Sequence, residues 1–386
     1  MAFFEADHDA YRVSVREFLQ RHVEPNYETW EEARVVDREA WKRAGEAGIL
    51  GISVPEEFGG GGVSDYRFRF VVAEECARAA VTSFSAGLSV QDDICISYIA
   101  EIGNDAQKSR WLPGMVAGTT IGAIAMTEPG AGSDLQGTRT NAVRDGDAWV
   151  LTGQKTFITS GIQCDMVIVL ARTDPSAGSR GFSLFIVEDG QEGFTKGRKL
   201  NKVGLAGQDT AELFFDHVRV PAENMLGPVG RGLQALMGRL PLERMSIAVA
   251  ALCAAEAAYD WARTYVFERK AFDQPIGDFQ HVRFTLAEME TELEITRAYI
   301  ESATHKLNAG TLSAVDAAKA KWWASELQQR ITNRSLQLFG GYGFMLEYPI
   351  GRAYRDARIQ TIYGGTTEIM KEIIGRDIAA RTAQAT

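Results

Sequence analysis

The hydrophobic period of this chain changes twice, and that fixes its fold class. Residues 5 to about 118 repeat apolar side chains at three- and four-residue steps, as in YRVSVREFLQRHVEP, REAWKRAGEAGIL and QKSRWLPGMVAG, the period of amphipathic helices. From about 120 to 225 the pattern becomes AWVLTGQKTFITS, MVIVLART, FSLFIVED and AELFFDHVRV. These short runs are rich in Val, Ile, Phe and Thr and are separated by turn residues, as antiparallel strands are. From about 229 the long helical period returns, in RMSIAVAALCAAEAAYDWARTYVFERK, FTLAEMETELEITRAYIESATHKLNAG, SAVDAAKAKWWASELQQRITNRSLQLF and TTEIMKEIIGRDIAA. Strands that follow one another without helices between them argue against a doubly wound dinucleotide fold. The chain reads as α+β: an N-terminal helical domain (1–119), a middle antiparallel β-sheet domain (120–226) and a C-terminal antiparallel helical bundle (227–386). The sheet is expected to pack between the helical parts.

Charge and punctuation narrow the function. A formal net charge of -10 disfavours a nucleic-acid or anionic-membrane surface. The N-terminus, MAFFEADHDAYRVSVREFL, has neither the order of a signal peptide nor the Arg-rich bias of a transit peptide. No apolar run approaches the ~20 residues of a membrane span. The expected compartment is the cytoplasm. Cys76, Cys95, Cys164 and Cys253 stand far apart with no CxxC, and the five histidines show no HxxxH or HExxH spacing. Buried free thiols are expected, with neither a zinc site nor a disulfide framework. The run Gly59–Gly62 follows no strand and lacks GxGxxG spacing, so it reads as a surface turn.

A second glycine-rich loop is more specific. In IGAIAMTEPGAGSDLQG (121–137) a strand-like run ends at Met126 and Thr127, then glycines alternate around Ser133 and Asp134. Glycines let backbone N–H groups approach a ligand, and the hydroxyls of Thr127 and Ser133 can bond a ring carbonyl or a phosphate. Read only as a Gly/Pro loop, it is an ordinary turn. Read whole, TEPGAGSD resembles the flavin-binding loop of the acyl-CoA dehydrogenase family. GQKTFITSG (153–161) is similar to that family's second flavin segment, with Phe157 at the ring-stacking position and Thr159 beside it. ERKAFDQPIGDFQ (268–280) resembles the segment that reaches the flavin of a neighbouring subunit, with Arg269 and Gln280 at the matching positions. QLFGGYGF (337–344) supplies Gln337 and Gly341 near the adenosine–pyrophosphate end in the same way. The resemblance extends in order over nearly the whole chain. It is strongest to the long-chain branch, through KWWASELQQR, YPIGRAYRDAR and IYGGTTEIMKE.

That resemblance implies FAD and α,β-dehydrogenation of an acyl-CoA thioester. Such a reaction needs donors that polarise the thioester carbonyl and a carboxylate base with a raised pKa. Many family members carry the base as a glutamate where this chain has Gly364. Glu368, in the first turn of the last helix, matches a cofactor-facing residue, as does Thr366. Glu243, in RLPLERMSIAVAAL, shares a helix face with Ile247, Ala250 and Ala254. Its residues alone leave open an ion pair with Arg244 or Arg239, or a solvated helix start after Pro241. The long-chain and isovaleryl branches, however, pair a glycine at 364 with a glutamate at 243, and this chain has both. The resemblance therefore assigns the base to Glu243. It gives Ser133, Arg244, Gly364 and Gly365 to the substrate, and the two glycines are expected to free volume beside the thioester. It further implies an electron-transferring flavoprotein as partner, a homotetramer, and medium-to-long acyl chains. Two competitors share these motifs: a dehydrogenase or oxidase acting on a carrier-protein-tethered acyl chain, and a catalytically silent flavin-binding module.

Overall fold

Each change of period becomes a change of architecture in a computed structural model that describes residues 3–385. The first region holds helices α1 (Ala6–Phe18), α2 (Tyr27–Ala33), α3 (Arg38–Glu46), α4 (Arg67–Arg78), α5 (Thr82–Ser89), α6 (Ser97–Ile102) and α7 (Asp105–Val116). Their apolar faces meet around Trp30, Trp41 and Phe84. Asn104 starts α7 with a reciprocal capping box to Gln107, which satisfies backbone donors that the first turn leaves free. Two π-helical segments, Leu19–Val23 and Val90–Ile96, interrupt the α-helices.

Eight strands follow: β1 (Gly122–Ala125), β2 (Asn141–Asp145), β3 (Ala148–Thr159), β4 (Met166–Arg172), β5 (Phe182–Glu188), β6 (Phe194–Lys199), β7 (Thr210–Pro221) and β8 (Met225–Leu226). They form one sheet in the order β6-β7-β3-β2-β4-β5-β8, with β1 beside β4. Most pairings are antiparallel, but β1 runs parallel to β4, as does the single β2–β4 contact at Asn141 and Arg172. The sheet is thus mixed at its centre. The chain between β1 and β4 passes through β2 and β3, long enough to return in the same direction, which a tight hairpin cannot do. Strands β4 and β5 are buried on both faces. Met166, Ile168, Leu170, Phe182, Leu184 and Ile186 pack on the helices, while Val167, Val169, Ala171, Phe185 and Val187 face β3 and β7. This is the period-two alternation of a strand covered on both sides.

The last region holds α8 (Gly232–Glu268), a short hairpin of β9 (Lys270–Ala271) and β10 (Gln274–Pro275), then α9 (Gln280–Asn308), α10 (Ala314–Phe339), α11 (Pro349–Ala357) and α12 (Thr367–Ala385). Helix α9 stops just before Gly310, which has φ +68°, and Ser313 caps α10. Helix α8 runs straight through Pro241. Leu233 and Leu236 anchor its first turns in the sheet core, and Met245, Val249 and Leu252 anchor the remainder in the bundle core. Packing at both ends holds the helix across a residue that removes one of its hydrogen bonds. Residue 243 therefore lies inside a helix, at the junction of sheet and bundle, and not at a solvated helix start. All four cysteines are buried and free. Among the described residues no helix is long and apolar enough to cross a membrane.

Candidate active site

The TEPGAGSD loop is held from below by a buried ion pair. Glu128 accepts from the backbone N–H groups of Arg139 and Thr140 at 2.7 and 2.9 Å, and from Lys155 Nζ at 2.9 Å. Lys155 is 1% exposed and also donates to the Met126 carbonyl at 3.0 Å. Burial lowers its pKa to about 8, with Glu128 opposing the shift. The Thr156 N–H bonds the Thr127 carbonyl at 2.9 Å. These contacts bring Met126 and Thr127 beside β3, next to Phe157 and Thr159.

Strand β3 bulges at that point: its register against β7 shifts between Lys155 and Ile158. The extra residue turns Phe157 outward, with φ +60° and 68% of its surface exposed. A bulky residue in the left-handed region is costly unless its surroundings or its task require it. An exposed aromatic ring on a strained bulge, next to the residue that bonds the Thr127 carbonyl, fits a planar cofactor.

Glu243 is 4% exposed on α8. Among the described residues it has no cation within ion-pair distance. Arg239 turns instead to Ser97 and lies 3.8 Å from Glu101, and Arg244 Nε reaches the Gly364 carbonyl at 3.5 Å. The ion-pair reading of Glu243 thus fails. Among the described residues its one hydrogen-bond donor is Tyr98, whose hydroxyl lies 2.7 Å from Oε1. Burial holds the Glu243 pKa above the ordinary carboxylate value, while Tyr98, Arg244 and Arg239 pull it back down. An acid that is buried, unpaired and raised in pKa is suited to accept a proton.

The 364–368 loop faces the same helix. Gly364 adopts φ +64°, and a Cβ there would stand 2.3 Å from Ile247 Cδ1, one turn beyond Glu243. The expected free volume beside the glycines is therefore occupied in part by Ile247, because α8 packs closely enough to fill what a side chain at 364 would need. Gly365, at φ +100°, meets Met370 in the same way, and its carbonyl accepts from buried Lys321 at 2.6 Å. The Gly364 N–H has no protein acceptor among the described residues. Thr366 Oγ1 accepts from the Ile369 N–H at 3.4 Å and so caps α12, and Glu368 is exposed in its first turn.

The remaining expected residues divide between two cavities. Arg269, Gln337 and Gly341 line one of about 490 Å³ with Tyr265 and Tyr342. Gln280, exposed at the start of α9, is not part of its lining. Ser133 lines the other, of about 510 Å³, with Arg180, Arg231 and Gln234.

Family models cover almost all of the chain in order. Those of the acyl-CoA dehydrogenase N-terminal, middle and C-terminal domains match residues 5–119, 123–218 and 230–379. The chain belongs to the acyl-CoA dehydrogenase family. It is 49% identical over 377 residues to the mitochondrial long-chain specific acyl-CoA dehydrogenase of Sus scrofa, covering 97% of this chain and 87% of that one. A solved acyl-CoA dehydrogenase from Geobacillus kaustophilus superposes with a TM-score of 0.95 at 44% identity, covering 97% and 98% of the two chains. A glutaryl-CoA dehydrogenase from Mycobacterium smegmatis, solved in complex with FADH2, gives 0.92 at 30% identity, covering 98% and 96%. The dehydrogenase is a flavin-dependent oxidoreductase that desaturates acyl-CoA thioesters.

Sequence reasoning missed Tyr98, Ile247 as the filler at Gly364, and the pins Glu128, Lys155 and Lys321. Lys155 carried a signal, since strand alternation puts it on the buried face of β3. Tyr98 carried none, because its partner lies 145 positions away.

Proposed function

We propose that this dehydrogenase uses FAD and Glu243 to convert medium-to-long-chain acyl-CoA into the trans-2-enoyl-CoA. The observation that carries this reading is Glu243 itself: a buried carboxylate with no ion pair among the described residues, one helical turn before the Ile247 that meets Gly364, the glycine at whose position other members of the family place their base. Bound flavin supplies the acceptor for the hydride that leaves Cβ. Thr127, Thr159 and the Phe157 ring would hold its ring system, with Met126, Thr366 and Glu368 beside it. Arg269, Gln337 and Gly341, with Gln280 nearby, would hold the pyrophosphate end.

The chain's own groups do the rest. Glu243 takes the α-proton as the Cα=Cβ bond forms. The unengaged Gly364 N–H offers a donor to the thioester oxygen, where negative charge develops. Arg244 and Lys321 fix the loop that presents this donor by bonding the carbonyls of residues 364 and 365. Ser133, with Arg180 and Arg231 in one cavity, suits the polyanionic CoA moiety.

A homotetramer is supported by the absence of Phe157 from the lining of the Arg269 cavity and by the exposed Phe272 and Phe344, which lie close in the chain to residues that line it. Electron-transferring flavoprotein is the proposed oxidant of the reduced enzyme. The four buried thiols suit a reducing compartment such as the cytoplasm. Anaerobic titration of the holoenzyme with acyl-CoAs from short to long and branched tests the reading. Flavin bleaching is expected with medium and long chains, and an enzyme bleached by no acyl-CoA would refute it.

A further inference from the structure

The Glu243 carboxylate is served by a second element that no functional motif marked. Helix α6 lies across from α8 and contributes Tyr98, which is fully buried and donates to Glu243 Oε1 at 2.7 Å. The π-helical segment Val90–Ile96 runs directly into this helix. Such segments add a residue to a helical turn and gather at functional sites. The Tyr98 ring is wedged in the core with Ile96, Ile99 and Leu236, so its hydroxyl is held in place by packing. The same helix draws a cation away from the carboxylate, since Ser97 and Glu101 engage Arg239.

From this geometry we propose that Tyr98 positions the base, fixing one Glu243 oxygen and leaving the other for the substrate's α-hydrogen. This rests on the reading of Glu243 as base. The groups around the carboxylate are few: Tyr98 on α6, Cys95 on the preceding π segment, and Arg239 and Arg244 on α8. Burial keeps the Tyr98 phenol and the Cys95 thiol protonated. Arg239 and Arg244 are both committed to other partners. Among the described residues, Tyr98 is thus the one group that stabilises the ionised carboxylate by direct hydrogen bonding. Without it, the desolvation of Glu243 is opposed by the more distant charges of Arg244 and Arg239 and by no hydrogen bond from a described residue.

The test is the pH profile of acyl-CoA-dependent flavin reduction in the holoenzyme, measured by stopped flow. Tyr98→Phe is expected to bind flavin and keep KM within about threefold. Its acidic limb should move up by about one to two pH units, the equivalent of one charge-assisted hydrogen bond. Site-specific 3-fluorotyrosine at position 98, a stronger donor of nearly the same size, should move the limb down. Glu243→Gln serves as the control for the underlying assignment. If Glu243→Gln reduces flavin normally, the base assignment falls and takes this proposal with it. If Glu243→Gln is inactive while Tyr98→Phe keeps the parental limb and rate, only the role of Tyr98 falls. Should Tyr98→Phe fail to fold, the fluorotyrosine protein decides, and an unmoved limb there refutes the proposal.

Discussion

Gly364→Ala probes why the base proposed for this enzyme would sit on a helix. The added Cβ would stand 2.3 Å from Ile247 Cδ1, in a backbone at φ +64°. The left-handed conformation costs an alanine about 1–2 kcal/mol. The clash falls on the end of a flexible side chain, so Ile247 can yield by leaving its rotamer, at about 0.5–1.5 kcal/mol. The substitution should therefore destabilise the holoenzyme by roughly 2–3 kcal/mol. Ile247→Val removes the clashing Cδ1 and alone should cost about 0.5–1.5 kcal/mol. In the double variant the overlap is gone, so the two changes should be less damaging together than their sum, by about 1 kcal/mol. Urea unfolding followed by flavin fluorescence and circular dichroism measures all four proteins. Strict additivity would refute the idea that Ile247 occupies the space in which other family members place their carboxylate.

Three further outcomes are expected. Lys155→Met leaves Glu128 buried without its cation, which should cost about 3–5 kcal/mol in stability and weaken flavin binding, measured by thermal melts and flavin titration of the apoprotein. Phe157→Gly relieves left-handed strain, so the apoprotein should melt no lower than its parent. Flavin affinity should nevertheless fall by about threefold to tenfold, the worth of one stacked ring. The third outcome follows from linkage. Because folding raises the Glu243 pKa, the native state keeps that proton over a pH window in which the unfolded chain has lost it. Ionising Glu243 therefore removes stability as pH rises through the window. Glu243→Gln, which mimics the protonated form, should melt with its parent at the acid end of the window and above it at mildly alkaline pH.

The sequence carried the three-part architecture because each region's apolar spacing agrees with the structure it forms. It misled at the sheet centre, where β1 runs parallel to β4, since period-two alternation looks the same in either direction. It left the surroundings of Pro241 open, because local chemistry allows a helix start there and only packing at both ends of α8 carries the helix through. The two motif loops were legible as strings. What holds them was not: the Glu128–Lys155 pair ties the first loop to β3, and Lys321 reaches Gly365 from α10. The glycine at 364 and the glutamate at 243 could be read from the chain as the two halves of a proposed exchange, but the contact of Ile247 with Gly364 needed the distance between α8 and the loop.

The central claim is that Glu243 takes the α-proton, and anaerobic flavin reduction of Glu243→Gln tests it most directly. The variant is expected to hold flavin and bind acyl-CoA while its reduction slows by about a hundred- to ten-thousand-fold, the worth of a general base. Bleaching at the parental rate would contradict the account.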